Sequence, residues 1–224
     1  MREFKIRCSA IGQIMTEARS KSEPLSETTK AYLLEWWVGE KYGRTKDISN
    51  RYIEKGLAVE EDSITLLSLT DRAMHLKNEK HYTDDHLTGT PDIVTGDEVI
   101  DIKSAWDIWT FHKSKFSPIN KAYWWQVQGY MALTGLQSAR VVHCLVDTPP
   151  SLIEDEKRRL AYKIGTDSPE LSQALEAIDK AMTFGDIPRA ERVHTFTVTR
   201  DDAAIEAIRA RVEECRKYLA ELAQ

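Results

Sequence analysis

GTPDIVTGDEVIDIKSA, residues 89–105, has the outline of a β-hairpin: a short strand, a Thr95-Gly96-Asp97 turn and a second strand. Val99, Ile100 and Ile102 belong to a strand buried on both faces. Asp101 and Lys103 interrupt that pattern and, two residues apart, point to the same side. Burying a carboxylate and an ammonium is costly unless something uses them. Asp92 stands at the base of the first strand. Paired strands lie about 5 Å apart, so Asp92 and Asp101 can converge on one point. Two acids with few other ligands suit a hard divalent cation such as Mg2+, which keeps several waters and uses one or two carboxylates. A lysine beside such an ion can orient or help deprotonate an attacking water and balance charge on a phosphate. This is a set suited to phosphodiester hydrolysis. Read alone, the hairpin fits a surface turn with a solvated Asp101–Lys103 pair equally well.

Neighbouring segments add to the set. Asn50 caps an expected helix from Arg51 to about Leu69, where Ile53, Leu57, Ile64 and Leu67 form an apolar stripe that includes Glu60. An inward glutamate needs a partner, which a metal site supplies; the alternative is that it snorkels from the stripe edge. A second helix, roughly Ile119 to Thr134 and stopped by Gly135, carries Gln126 and Tyr130 on one face. An amide there can both donate and accept, which suits positioning beside a phosphate or water. WDIWTFHKSKF (106–116) interleaves Trp106, Trp109 and Phe111 with His112, Lys113 and Lys115. That pattern serves base stacking with phosphate contacts, or else core and interface packing. Near the start, Ser9 is expected to cap a short helix through Ala18. With Arg7 beside it, this is a ready phosphate site or a plain cap.

The remaining segments set the fold class. A polar loop (19–30) precedes a helix (31–43) stopped at Gly43, and short strands fall between 80 and 104. A buried strand (139–147) ends at Pro149-Pro150. Helices of about 151–163 and 168–183, a strand (193–198) and a closing helix (201–223) follow, the last with Ile205, Ile208, Val212 and Cys215 on one stripe. Strands interleaved with helices predict an α/β fold, a central mixed β-sheet flanked by helices on both faces. A chain of 224 residues, 42% hydrophobic and 30% charged, suits one domain. Its expected parts are a helical N-terminal region (about 1–78), the sheet and helix bearing the site (about 79–147) and C-terminal helices with a strand (about 148–224). A charged start and the lack of any apolar run of membrane length predict a cytoplasmic protein without membrane contact. Cys8, Cys144 and Cys215 form no CxxC pair, which speaks for a reducing compartment and against a zinc ribbon or a cysteine-held iron–sulfur cluster. The six histidines show no ligand spacing. A net charge of -5 gives no general pull toward nucleic acid, so any DNA-binding case rests on local charge placement.

Taken in order, Glu60, Pro91-Asp92, Asp101-Ile102-Lys103 and Gln126-Val127-Gln128-Gly129-Tyr130 resemble the PD-(D/E)XK nuclease superfamily and the Q-x-x-x-Y motif of its RecB-like branch. Length, element order and the context of Tyr123 and Gln126 are most similar to the phage lambda-type alkaline exonucleases of recombination systems, over roughly residues 5 to 135. The resemblance implies a restriction-endonuclease-like core. It implies Glu60, Asp92 and Asp101 as an acidic metal cluster with the Ile102 carbonyl as a further ligand, Lys103 positioning the attacking water and Gln126 supporting it. Arg7, Ser9, Thr90 and Tyr130 would face the DNA and its terminal 5′ phosphate, although the Arg7-to-Ser9 spacing is shorter than the family's. The implied activity is a Mg2+-dependent exodeoxyribonuclease, with Mn2+ as a substitute. It would digest double-stranded DNA processively from free ends, 5′→3′, releasing mononucleotides and leaving 3′ overhangs. A ring-shaped homotrimer threaded by DNA and a single-strand annealing protein as partner are implied with it. An endonuclease of the same superfamily, a non-catalytic DNA-binding adaptor on the same fold and a small-molecule phosphohydrolase remain open readings of the residues.

Overall fold

A computed structural model describes residues 2–20, 22–44, 46, 50–165 and 169–223. A two-residue strand, β1 (Ile6–Arg7), runs through a 3-10 turn (Cys8–Ala10) into the one-turn helix α1 (Ile11–Ile14). Ser26 caps α2 (Glu27–Tyr42) by accepting from Thr29 N, and Gly43 ends it in the left-handed region at φ 59°. Asn50 caps α3 (Arg51–Ala58), accepting from the backbone N–H groups of Tyr52 and Ile53, and α4 (Glu60–Asp71) follows after Val59. Short strands β2 (Tyr82–Thr83), β3 (Leu87–Gly89) and β4 (Ile93–Val94) lead to β5 (Glu98–Ser104). Then come α5 (Ile108–Lys115), α6 (Lys121–Thr134), β6 (Ser138–Cys144), α7 (Pro150–Ile164), α8 (Leu171–Met182), β7 (Val193–Thr199) and α9 (Asp202–Leu222).

The larger sheet has the order β4-β5-β6-β7, and the smaller one β1-β3-β2. β4 and β5 are antiparallel with Ile93 opposite Ile100, the expected hairpin. β5 and β6 are parallel, so α5 and α6 form the crossover between them, and β7 closes the sheet antiparallel to β6. Alternation along β5 divides the core. Val99, with Ala139, Val141 and Val198, packs under α1, α2, α6 and α9. Ile100 and Ile102, with Val142 and Cys144, pack against Ile64, Leu66 and Leu67 of α4. The fold is α/β with a mixed sheet covered on both faces, as the element order predicts. Asp101 and Lys103 share the face of Val99 and therefore point at α6.

Several boundaries differ from the sequence expectation, each for a physical reason. The helix expected from Arg51 to Leu69 breaks at Val59, and this inverts the expected stripe on its first half. Ile53 and Leu57 are exposed, while Lys55 is buried at 1% exposure. Tertiary contacts decide this, because Lys55 Nζ donates to the Trp106 carbonyl at 2.9 Å and sits against the Trp106 and Phe184 rings. Ser9 caps nothing; it lies inside the 3-10 turn, where Arg7 takes the N-cap position without a side-chain hydrogen bond. Helix α2 starts four residues earlier than expected, because Ser26 supplies the cap inside the polar stretch. The aromatic segment folds into α5, held by a capping box in which Asp107 and Thr110 satisfy each other's backbone N–H groups. The expected start of α8 at residue 168 lies outside the described residues. Along α9, Ile205, Ile208, Val212, Cys215 and Leu219 are buried as the stripe requires.

Candidate active site

The register of the β4–β5 hairpin, extended one residue from Ile93 opposite Ile100, sets Asp92 opposite Asp101. Asp92 Oδ2 accepts from Ile102 N at 2.6 Å, which fixes the first carboxylate against the strand that bears the second. Asp101 is fully buried; its Oδ1 accepts from Gln126 Nε2 at 2.8 Å. Asp101 Oδ2 accepts no hydrogen bond among the described residues. Lys103 Nζ lies 2.8 Å from it, an ion pair outside hydrogen-bond geometry. Lys103 also donates to Gln126 Oε1 at 3.2 Å and sits 4.6 Å from the centre of the Tyr123 ring. Gln126 Nε2 further donates to the Tyr130 hydroxyl at 3.1 Å, and Tyr130 donates to the Thr90 carbonyl at 3.3 Å. One chain of polar contacts thus runs Lys103–Asp101–Gln126–Tyr130–Thr90, joining the strand, α6 and the segment before Pro91.

Burial and mutual repulsion define the electrostatics. Burial, then the Asp101 charge, pushes the Asp92 carboxyl up to about 7, against the pull of the Ile102 N–H and Lys103. Burial also raises Asp101, opposed by Lys103. For Lys103 burial works downward, but Asp101 and then Asp92 outweigh it and hold the ammonium above its ordinary value. Lys103 is therefore a cation here, able to orient and to balance charge. It is a poor proton acceptor.

The donor set fits a hard divalent cation. Two carboxylates face each other across one hairpin rung, each raised chiefly by burial, and Asp101 Oδ2 meets only the Lys103 ammonium. Mg2+ binds such sites through one or two carboxylates while retaining waters. Glu60 begins α4 and is electrically close enough to raise Asp92, but its carboxylate pairs with Lys77 at 3.1 Å. Among the described residues no three Asp, Glu, His or Cys side chains form a metal-binding group. The nucleus of the site is thus Asp92, Asp101 and the backbone at Ile102, with Glu60 beside it.

Two clefts border residues joined to this nucleus, Lys103 in one and Tyr130 with Thr90 in the other, while Asp92, Asp101 and Ile102 line neither. A cleft of about 1790 Å³ gathers the other sequence candidates, Arg7, Ser9, Thr90 and Tyr130, and adds Lys5 and Arg44. Arg7 and Ser9 are exposed along it. A smaller cleft of about 460 Å³ reaches Lys103 and Tyr123. The aromatic segment 106–116 is divided: Phe111 is core, Trp106 lines the smaller cleft and Trp109 is exposed. Sequence reasoning passed over three residues that the fold brings to the site. His81 bridges the Thr88 and Thr90 hydroxyls at 2.8 and 2.9 Å. Lys77 neutralises Glu60. His143, opposite Lys103 in the β5–β6 register, lines the smaller cleft, where burial and the neighbouring His194 and Lys103 lower its pKa to about 4. Lys77 and His143 come into place by contacts distant in sequence and His81 by the return of the chain from β2 to β3, and only His143, a polar residue inside a buried strand, left a signal in the sequence.

No protein-family model matches the sequence, and a comparison with curated proteins finds no significant match. Solved structures do match. A phage-related exonuclease from Haemophilus somnus 129PT superposes with a TM-score of 0.78 at 27% identity, over 99% of this chain and 96% of that one. The alkaline exonuclease LHK-Exo from Laribacter hongkongensis shares the fold at a TM-score of 0.66 and 18% identity, over 97% of this chain and 88% of that one. Its complex with dAMP gives a TM-score of 0.65 at 20% identity. With a mixed sheet between helical layers and Pro91-Asp92 set against Asp101-Ile102-Lys103, the chain has the fold of the PD-(D/E)XK nucleases and is similar along nearly its whole length to phage-related and alkaline exonucleases.

Proposed function

We propose that this protein is a metal-dependent deoxyribonuclease, an exonuclease acting on the free ends of double-stranded DNA. The observation that carries the reading is the pair of half-buried Asp92 and fully buried Asp101, facing each other across the hairpin with Lys103 and Gln126 locked onto the second carboxylate. Mg2+, with Mn2+ as substitute, is the group this donor set suits; when bound it would polarise a phosphoryl oxygen and shield charge in an in-line displacement. Asp92, Asp101 and the Ile102 carbonyl would hold it, with Glu60 at its edge. Lys103 keeps its proton and offers a fixed positive charge to the scissile phosphate and to the attacking water. Gln126 holds Lys103 and Asp101 in one orientation, and Tyr130 holds Gln126. Arg7, Ser9 and Thr90 line the larger cleft, where exposed cations suit a terminal 5′ phosphate.

The finer reading is processive 5′→3′ digestion that releases mononucleotides and leaves 3′ single strands for recombination, the whole chain 1–224 serving as one nuclease domain. A ring-shaped homotrimer would hold the duplex topologically, which reconciles processivity with a net charge of -5. A single-strand annealing protein is the partner proposed for the product. No helix among the described residues is long and apolar enough to cross a membrane. The test uses linear duplex DNA with a 5′ phosphate, labelled at either end, beside covalently closed circles, with and without Mg2+. Metal-dependent release of mononucleotides from 5′ ends, with circles intact, is expected. Nicked circles would replace the exonuclease reading with an endonuclease, and no cleavage with any divalent metal would overturn both.

A further inference from the structure

The larger cleft contains two hydroxyls bridged by one imidazole, a feature that the reaction at Asp92 and Asp101 does not require. Antiparallel pairing of β2 with β3 sets Tyr82 opposite Gly89, so one step further along His81 stands opposite Thr90. Thr88 and Thr90, two residues apart on an extended segment, share a face, and the ring spans them. Nδ1 lies 2.9 Å from the Thr90 hydroxyl and Nε2 lies 2.8 Å from that of Thr88. The backbone around this bridge is fixed. Asn78 N donates to the Asp92 carbonyl at 2.7 Å and Asn78 Nδ2 to the Pro91 carbonyl at 2.9 Å, which clamps the segment before β2 along Pro91-Asp92. The Thr90 carbonyl accepts from Tyr130, at the end of the chain of contacts that starts at Lys103. Thr90 is thus held at its carbonyl by the residues around the acid pair and at its hydroxyl by His81. Both His81 and Thr90 are exposed along the cleft.

The placing of one proton decides what this bridge offers the cleft. A neutral imidazole has one N–H and one lone pair, and each hydroxyl has a single proton. With the ring proton on Nε2, Thr90 spends its own proton on Nδ1 and turns only lone pairs outward. With the ring proton on Nδ1, the ring donates to Thr90, Thr88 donates to Nε2, and the Thr90 proton is free to face the cleft. An imidazolium leaves it free as well. A phosphate monoester dianion accepts hydrogen bonds and donates none, so Thr90 can meet it only when Nδ1 carries a proton. The surroundings suit such an anion. The three glutamates lining the cleft, Glu3, Glu35 and Glu40, are each paired with a cation, and Arg7 lines the same cleft. We propose that His81 is a positioning residue for a phosphate monoester in the larger cleft: a proton kept on Nδ1 turns the Thr90 hydroxyl into a donor toward that phosphate. The proposal rests on the nuclease reading for the terminal phosphate. It goes beyond that reading in giving a histidine, acting through its neighbour, a part in telling phosphorylated from unphosphorylated ends.

Long-range proton–nitrogen spectra of protein carrying isotope-labelled histidine report which ring nitrogen is protonated, and His81→Gln identifies the His81 signal. Inorganic phosphate added to metal-free protein at fixed pH, and separately duplex DNA with a 5′ phosphate, is expected to shift His81 toward protonation on Nδ1. Duplex with a 5′ hydroxyl is expected to leave the signal in place. In DNA hydrolysis, His81→Ala should raise KM for 5′-phosphorylated ends about tenfold with kcat changed less than about threefold, and so narrow the KM ratio between the two kinds of end. His81→Gln, whose amide both donates and accepts, should recover part of that loss. In a Thr90→Val background His81→Ala should cost nothing further, because the two act as one unit. A phosphate-bound ring with Nδ1 unprotonated would overturn the proposal. So would equal losses on both kinds of end, or losses that add in the double variant. A response to free phosphate but not to phosphorylated ends would make the ligand a small anion and overturn the role in end selection. A phosphate-driven shift of His81 in a protein that cleaves no DNA would keep the hydroxyl bridge as an anion site and remove the nuclease reading instead.

Discussion

Asp92 gives the site a measurable signature before any DNA is added. Its folded pKa is raised from 3.8 to about 7, chiefly by burial and by Asp101. Between those values the folded state holds a proton that the unfolded state has lost, so the stability due to this group is complete below about pH 4 and falls as pH rises to 7. At 1.36 kcal/mol per pKa unit the loss has a ceiling of about 4 kcal/mol, shared with its coupled partner. His143 works the other way, being lowered from 6.5 to about 4, so the folded protein gains stability across that overlapping window and the parent's own curve is flattened. The Asp92→Asn variant separates them. In EDTA, the difference in urea stability between Asp92→Asn and the parent should widen in the variant's favour from pH 4 to pH 8. On the proposed function Mg2+ would bind the deprotonated pair, so its stabilisation of the parent should be larger at pH 8 than at pH 5 and absent in the variant. For a chain of this size each kcal/mol moves Tm by ~2–4 °C, well within the reach of a melting curve. A Mg2+ shift equal at both pH values, or one retained by Asp92→Asn, would refute the argument that this carboxylate pair is the cation site.

Other consequences are simpler to state. Gln126→Leu removes the group that holds Lys103 and Asp101 together; kcat should fall by roughly 10²-fold or more with KM little changed, and full activity in a steady-state assay would contradict the role given to it. Lys55→Met should stabilise the protein at pH 7 by up to about 3 kcal/mol. Burial lowers this ammonium from 10.5 to about 8, so the parent gains stability as pH rises between those values, and the variant's advantage in denaturant titrations should vanish by pH 11. Gly129→Ala places a Cβ against Ile11 and 3.0 Å from Cys8 Sγ, so overpacking of α6 on α1 should cost ~1–3 kcal/mol in unfolding experiments.

The most legible part of the sequence was the hairpin, because two charges in a run of β-branched residues violate burial unless the fold places them together. Gln126 and Tyr130 were legible for a related reason: i, i+4 spacing fixes a shared face whatever the tertiary structure does. The break at Val59 left little trace. Gly56 lies in the last turn of α3, but α4 begins without a side-chain cap, and the run Glu60-Glu61-Asp62, favourable at a helix N-terminus, announces a new start. The inward turn of Lys55 was illegible by periodicity, since Ile53 and Leu57 carry the stripe and yet face solvent. Helix α5 could have been read from Asp107 and Thr110, whose spacing gives a capping box, had the aromatic residues around it not drawn the reading toward binding.

The same elements explain how an acidic chain can handle an anionic substrate. Acidic residues near the site are either turned onto a cation or faced against each other: Glu60 onto Lys77, Asp71 and Glu98 onto Arg140, and Asp92 against Asp101. The Asp92–Asp101 pair is where negative charge is concentrated without full neutralisation, and a divalent ion would be drawn there by that imbalance. Exposed cations line the clefts that border the site, Arg7 and Arg44 in the larger and Lys113 in the smaller. The overall charge then sets solubility, while local cations and the paired acids set where a phosphodiester can lie. Exchanging Lys113 or Arg7 for glutamine should therefore weaken DNA binding and flatten its salt dependence. Removing an outlying ion pair such as Lys157–Asp179 should change neither.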